Sequence, residues 1–354
     1  MTNKLIATIK NIQHYYEIDS SYLLYIDKKD NLRCISKDNF KEIWYFENCY
    51  NFFINKEYVV CGMVGNEKTT ILNLNDGTKV KEFDFDLNIK GKRTELYYYG
   101  STYRNNEPVI LKFDLSKNEL AGIFPSLFGI GTLLNDIHYL TDKKGKILFK
   151  KNIENDTTLW QFDISQFGTY KDKKIFTDKE PEVRQREINR VYYHNNKIIV
   201  TLSRAIIALN PVNGELIWKI DFDNYDPVTL LFDGNIAYSG RLIYFAIIDI
   251  EKGIKLFEKD FDPSYRFEIE GFKLSQIRYI GLTLHENHLW FTHEDKGHQF
   301  LLKADPRNGN IVDGMLLETK LPTHPPQFDE NRMYILDQEG NLYVYETIEN
   351  EQYN

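Results

Sequence analysis

Four histidines gather in one stretch, His285, His288, His293 and His298, and clustered imidazoles are the first candidates for metal chemistry. The text His-Glu-Asn-His at 285–288 is one residue short of the His-Glu-x-x-His spacing that puts two ligands on one helical turn. In an extended strand, residues three apart point to opposite faces, so His285 and His288 are not expected to share an ion. The usual signatures of a serine hydrolase, a phosphate-binding loop or a dinucleotide fold (Gly-x-Ser-x-Gly, Gly-x-x-x-x-Gly-Lys-Ser/Thr, Gly-x-Gly-x-x-Gly) do not occur. No catalytic residue, metal or cofactor is therefore assigned. The cysteines number three, Cys34, Cys49 and Cys61, with no Cys-x-x-Cys pair. They read as buried free thiols in a reducing cytosol.

Carboxylates are the chemistry that recurs. Trp44 is followed by Glu47, Lys81 by Asp84 and Asp86, Trp218 by Asp221 and Asp223, and Phe257 by Asp260 and Asp262. Three of these texts read Asp-Phe-Asp, and Asp226 lies close to one of them. If each follows the last strand of a repeated unit, all should lie on one face. Such a face would attract a basic protein and speed its association. The plainer account is that Asp suits exposed turns and that repetition propagates it. Two further stretches stand out. Residues 170–190 form a charged insertion without a periodic apolar face, read as a loop that could clasp a partner. Residues 260–273 form an aromatic connection in which Tyr265, Arg266 and Phe267 are of the types that anchor interfaces. Burial under a neighbouring unit is the competing account for these three.

The elements that must position these residues are short strands. Residues 197–223, KIIVTLSRAIIALNPVNGELIWKIDFD, read as three antiparallel strands. Pro211 opens a turn by fixing φ, Gly214 closes it with a positive φ, and Trp218 sits in the third strand. The pattern recurs. Eight central strands align at 32–37, 70–75, 110–115, 159–164, 206–211, 246–251, 301–306 and 342–347. Their spacing of roughly 40 to 55 residues is that of a four-stranded propeller blade. Helix caps followed by 3.6-residue periodicity are absent. A single sheet of this size would leave long aggregation-prone edges, which radial repetition removes. The last unit lacks an outer strand, and residues 5–9 offer an orphan one. Their pairing would close the circle. The expected fold is all-β, a single propeller over 1–354, with residues 1–10 as closing strand and eight blades, seven being the second choice.

Residues 205–220, AIIALNPVNGELIWKI, resemble a repeat of the pyrroloquinoline-quinone-dehydrogenase-like propellers, in which apolar-Ala-Leu-Asp, a Gly-containing turn and a Trp follow one another. Residues 245–260 are similar, with Phe257 at the Trp position, and residues 33–46 match through Trp44. The resemblance implies a fold shared by dehydrogenases, outer-membrane assembly lipoproteins and binding proteins. It does not carry the quinone site. The quinone enzymes are longer and exported, and they hold their cofactor with calcium and a disulfide of adjacent cysteines, a pair this chain lacks.

Composition narrows the function classes. A net charge of −8 argues against a nucleic-acid backbone as partner, and no run is long and apolar enough for a membrane span. The N-terminus lacks the apolar core of an export signal. The sequence thus reads as a cytoplasmic, non-enzymatic propeller that binds another protein, basic or a toxin, with an immunity or antitoxin role as its specific form. A scaffold or sensory propeller is the alternative. A hydrolase or lyase with its site in the central channel is the rival class.

Overall fold

The computed structural model describes residues 2–348 apart from 66–67, 87–91, 95, 105–106, 126–130, 135–136, 173–179, 181, 224, 242–243, 261–265 and 276–279. The chain forms two compact units, residues 1–126 with 319–354 and residues 127–318, each holding four antiparallel four-stranded sheets. In the first unit, blade 1 runs Ile12–Ile18, Tyr22–Asp27, Leu32–Ser36 and Glu42–Phe46. Blade 2 runs Cys49–Asn55, Tyr58–Met63, Thr69–Asn73 and Lys79–Phe83. Blade 3 runs Lys92–Arg93, Tyr97–Arg104, Glu107–Asp114 and Glu119–Pro125. Blade 8 takes Gln327–Asp329, Arg332–Leu336 and Leu342–Ile348 from the end of the chain and Thr2–Ile9 from its start. The orphan strand thus closes on the last blade as expected, from Thr2 opposite Ile348 to Ile9 opposite Leu342.

In the second unit, blade 4 runs Gly131–Leu134, Ile137–Thr141, Ile147–Asn152 and Thr157–Asp163. Blade 5 follows with Ile188–His194, Lys197–Leu202, Ala205–Leu209 and Leu216–Asp221. Blade 6 has Leu231–Asp233, Ile236–Arg241, Tyr244–Asp249 and Ile254–Asp260, and blade 7 has Ile280–His285, His288–Asp295, His298–Ala304 and Ile311–Leu317. Eight four-stranded blades make this an eight-bladed β-propeller, with no α-helix among the described residues. Seven of the eight aligned strands are third strands, as the sequence indicates. The exception is 159–164, which belongs to the fourth strand of blade 4. Trp160 misleads the alignment. It stands where Trp44 and Trp218 stand, on an outer strand, and the true third strand, Ile147–Asn152, has the less typical text ILFKKN.

Two features of the outer strand explain the repeated text. Between the third and fourth strands, the register slips by one residue in every blade. The slip skips Ile43, Val80, Leu159, Ile217, Leu256 and Val312, all exposed apolar residues, and a bulge at that place adds twist to the blade edge. The next residue is often Trp, and it reaches the following blade. Trp44 Nε1 donates to the Leu74 carbonyl at 2.8 Å, Trp160 Nε1 to Pro211 at 3.3 Å and Trp218 Nε1 to Ile250 at 3.1 Å. Each ring lies on the turn glycine of that blade. At Gly253, with φ +67°, a Cβ would come within 2.2 Å of Trp218, so the turn demands Gly both for its backbone and for the ring.

A second staple joins the blades at their turns. The Asp27 carboxylate folds the turn between the second and third strands of blade 1 by accepting from the Lys29 and Asn31 amides at 2.8 and 3.0 Å. Asp337 does the same for Glu339 and Asn341, and Asp142 for Lys146 and Ile147. The fourth residue of each turn then offers its carbonyl to the first strand of the next blade: Asp30 to Cys49 N, Gly340 to Ile12 N and Gly145 to Ile188 N. At Gly340 a Cβ would fall 2.1 Å from the Ile12 carbonyl. All three cysteines are buried free thiols, and burial, with a smaller push from Asp19, raises Cys34 to about 12.

Candidate functional site

Where the first strands of blades 8, 1 and 2 run into their following turns, the first unit carries a depression of about 650 Å³. Its walls are Tyr16, Glu17, Ile18, Asp19 and Ser20 of blade 1, Ile54 and Lys56 of blade 2, and Gln327, Phe328 and Asp329 of blade 8. One buried cation organises it. Lys37, 4% exposed, donates from Nζ to the carbonyls of Asp19 and Ser20, both at 2.9 Å, and pairs with the Asp329 carboxylate. All three ammonium hydrogens are thereby satisfied, as a buried charge requires. Arg332 Nη1 donates to the Lys37 carbonyl at 2.6 Å and tightens the same corner. The Glu17 carboxylate accepts from Ile54 N at 2.6 Å, tying blade 1 to the inner edge of blade 2.

Beneath this wall Tyr16 packs beside Tyr334, ring centroids 6.5 Å apart. The buried Tyr16 hydroxyl has no hydrogen-bond partner among the described residues. Burial, with Asp329 adding to it, pushes the Tyr334 phenol up to about 12, and burial raises Tyr16 as well. Both stay neutral. The depression is thus lined mostly by polar groups, Glu17, Asp19, Ser20, Lys56, Gln327 and Asp329, with Ile18, Ile54 and Phe328 between them. Among the described residues Asp19 Oδ1 accepts from its near neighbours Ser20 and Ser21, and Ile18, Ile54 and Phe328 supply hydrocarbon beside it. Such a cavity can take a long cationic side chain, stem against the apolar walls and head toward the carboxylates.

The carboxylates singled out in the sequence lie elsewhere. Glu47, Asp84 and Asp86 follow the fourth strands of blades 1 and 2, at the opposite end of those blades from the depression. Glu47 is exposed, and the Asp84 side chain, 91% exposed, has Lys68 at 3.6 Å. Asp86 accepts a hydrogen bond from the Tyr50 hydroxyl. In the second unit Asp221 and Asp226 are paired with cations. Asp221 pairs with Arg186 at 2.9 Å and Lys219 at 2.5 Å, while Asp226 has Arg204 at 3.5 Å and Arg241 at 3.6 Å. Asp223 is exposed, and its carbonyl accepts from Arg204 Nη1 at 3.1 Å. Asp260 ends the fourth strand of blade 6, whereas Asp262 and Tyr265 lie outside the described residues. Arg266 opens a small hairpin, Arg266–Ile269 with Phe272–Ser275, in which Phe267 is half-buried against the core of its unit.

Part of the charged insertion falls among the described residues. Thr169–Asp172 pairs with Glu182–Gln185, and Tyr170 carries Arg186 at 6.0 Å and Arg204 at 5.8 Å over its ring. Residues 173–179 and 181 lie outside the described set. His285 and His288, expected on opposite faces, are paired across a hairpin. His285 and His288 stand directly opposite each other, because the chain reverses between them through Glu286 and Asn287, φ 48° and 57°. Residues three apart diverge only while the strand continues, and here a two-residue turn brings them to one face. His293 is buried in the strand that begins at His288, and among the described residues no group of three His, Cys, Asp or Glu is placed to hold a metal.

What the sequence reading missed is the depression itself. Its signal was faint: Lys37 was placed on a central strand, and nothing local marks a lysine whose partners lie 17 and 18 residues upstream and in the last blade.

No protein-family model matches the chain, and no curated protein matches it in sequence. Solved structures match it in fold. The C-terminal WD40 domain of Sif2 covers 98% of this chain and 99% of its own at 10% identity, TM-score 0.63. BamB from Moraxella catarrhalis covers 98% and 100% at 10% identity, TM-score 0.61. A europium-containing methanol dehydrogenase covers 97% and 93% at 9% identity, TM-score 0.57. At such identities the likeness establishes the propeller fold, and with it the fold-level part of the resemblance drawn from the repeats, and nothing about activity.

Proposed function

We propose that the chain is a protein-binding propeller that captures a basic partner in the cytosol by taking one of its long cationic side chains into the depression between blades 8, 1 and 2. The observation that carries this reading is the cavity of about 650 Å³, lined by Ile18, Ile54 and Phe328 and by three carboxylates, Glu17, Asp19 and Asp329, against one lining cation, Lys56. The frame is rigid, because Lys37 and Arg332 tie two blades together around it. Three free thiols support a reducing compartment. The immunity or antitoxin form suits this chemistry: a partner gripped by its basic surface loses access to a polyanionic substrate.

The test is capture of the partner by the tagged full chain, compared with the Asp19→Lys variant. Wild type should retain one basic protein at low salt and release it at high salt. The variant should fold as well and lose retention at least about tenfold, by reversing the charge at the cavity mouth. Equal retention by both chains, or retention indifferent to salt, overturns the reading.

A further inference from the structure

The Asp-led turns of blades 1 and 8 frame a second cleft, while that of blade 4, Asp142-Lys143-Lys144, repeats the Lys-Lys pair of blade 1. The turn scaffold is the same in blades 1 and 8, Asp27-Lys28-Lys29-Asp30-Asn31 against Asp337-Gln338-Glu339-Gly340-Asn341, with matching hydrogen bonds from the third and fifth residues to the leading carboxylate. The scaffold therefore does not require Lys28 and Lys29. In blade 1 those lysines border a cleft of about 390 Å³ lined by Lys10, Asn11, Tyr25, Asp27, Lys28, Lys29 and Arg33. Four cations meet one carboxylate there, in a chain whose net charge is −8.

That carboxylate is already spent. Asp27 accepts from Lys29 N, Asn31 N, Asn31 Nδ2 and Arg33 Nε, which fills its acceptor sites. Burial works against its charge, yet these bonds outweigh burial and hold the carboxyl below its usual range. Arg33 is occupied too, by Asp27 and Glu42. Lys28 Nζ donates to the Glu339 carbonyl at 2.7 Å, a neutral partner that leaves its charge uncompensated. Asp30 accepts from Gln13 Nε2 at 3.1 Å. Lys10 and Lys29 are exposed, and no ion pair to either is found among the described residues. The backbone between them is fixed, since Lys28 N donates to the Asn11 carbonyl and Ile12 N to that of Gly340, both at 2.9 Å.

From this geometry we infer that the cleft at the corner of the closing strand is an oxyanion site for a phosphate-bearing small molecule. Phosphate rather than carboxylate fits, because the guanidinium fork that reads a carboxylate bidentately is engaged, while three ammonium groups remain as point charges matched to a dianion. The site is separate from the depression, so either can fail alone.

Isothermal titration of the full chain with inorganic phosphate at low salt tests it, with acetate and chloride as competitors and glycerol 3-phosphate as the monoester. One saturable site is expected, weakened at least about tenfold in the Lys10→Ala/Lys29→Ala double variant, whose melting temperature in phosphate-free buffer should be unchanged. Hydrogen exchange should slow with phosphate at 10–12 and 28–31. A monoester that binds tighter than free phosphate identifies a phosphorylated metabolite as the natural occupant, and equal binding identifies free phosphate. Absence of saturable binding, equal binding by the double variant, displacement by acetate mole for mole, or protection confined to other blades would each overturn the inference.

Discussion

Asp84-Phe85-Asp86 and Asp221-Phe222-Asp223 are the same tripeptide at the same place in blades 2 and 5, yet they meet different fates. In blade 2 Asp84 stands in solvent and Phe85 is half-buried beside Phe83, ring centroids 5.1 Å apart. In blade 5 Asp221 is locked between Arg186 and Lys219, and Phe222 is 2% exposed, edge-on to Tyr225 at 5.4 Å. The repeat sets where each residue falls along the blade. What surrounds it comes in part from outside the repeat: Arg186 follows the inserted hairpin, whereas Lys219 lies on the same strand as Asp221 and Arg204 sits at the turn of its own blade with φ 61°. A carboxylate that looks like part of an attractive face is, in blade 5, an anchor for one cation beside the insertion and one of its own strand.

The most severe way to break this contrast is at the phenylalanines. Phe222→Ala should destabilise the fold by about 3–5 kcal/mol, the cost of emptying a packed aromatic site. Phe85→Ala should cost about 1–2 kcal/mol, since less area leaves the interior. Denaturant unfolding monitored by circular dichroism measures both, and equal losses would erase the distinction. The carboxylates come next. Asp221→Asn leaves Arg186, whose side chain is 10% exposed, short of its ionic partner and should cost about 1 kcal/mol. Asp84→Asn should stay within about 0.5 kcal/mol of wild type. Hydrogen exchange in Thr169–Asp172 and Glu182–Gln185 should quicken only in the former.

These same pairs show how far the sequence could be read. The blades, their number and the closing strand were legible because they rest on local text: β-branched runs, glycine turns and a Trp one residue past a bulge. Trp160 marks the limit, since it identified the right motif and the wrong strand. Asp221 and Asp226 were legible as positions but not as ion pairs, because Arg186, Arg204 and Arg241 are 15 to 35 residues away in the chain. The depression was not legible. It exists only where Lys37 meets Asp19, Ser20 and Asp329, and the last of these is brought in by closure of the chain ends. The oxyanion cleft was half written, as three Asp-led turns of which two carry a Lys-Lys pair, Lys28-Lys29 and Lys143-Lys144, the first of them bordering one cleft with Lys10.

Alkaline pH separates the second aspartates. Asp86 accepts from Tyr50, and burial first, then this hydrogen bond and the nearby charge, raise the Tyr50 phenol above 10.0. A raised phenol keeps its proton in the folded chain after the unfolded chain has lost it. Stability is therefore unaffected below pH 10 and falls as pH rises beyond it. Asp86→Asn should make that fall shallower, measured as denaturant midpoints against pH with tyrosinate absorbance as a second readout. Asp223→Asn should leave the profile unchanged. A steeper alkaline loss in Asp86→Asn would mean that the carboxylate serves some other group.

The smallest effect tests whether the exposed member of the pair steers anything. Long-range steering depends on summed charge and weakens with distance and salt, the screening length being about 8 Å at physiological ionic strength. Asp84 lies at the opposite end of the blades from the depression, so a partner that docks there feels its charge only weakly. Asp84→Asn together with Glu47→Gln should slow association less than about twofold even at low salt, whereas Asp19→Asn should slow it several-fold. Stopped-flow association at two salt concentrations decides between them. If the Asp84 and Glu47 pair dominates instead, docking occurs at the fourth-strand ends, and the exposed Asp-Phe-Asp of blade 2 is the functional copy while the neutralised one in blade 5 is the structural one.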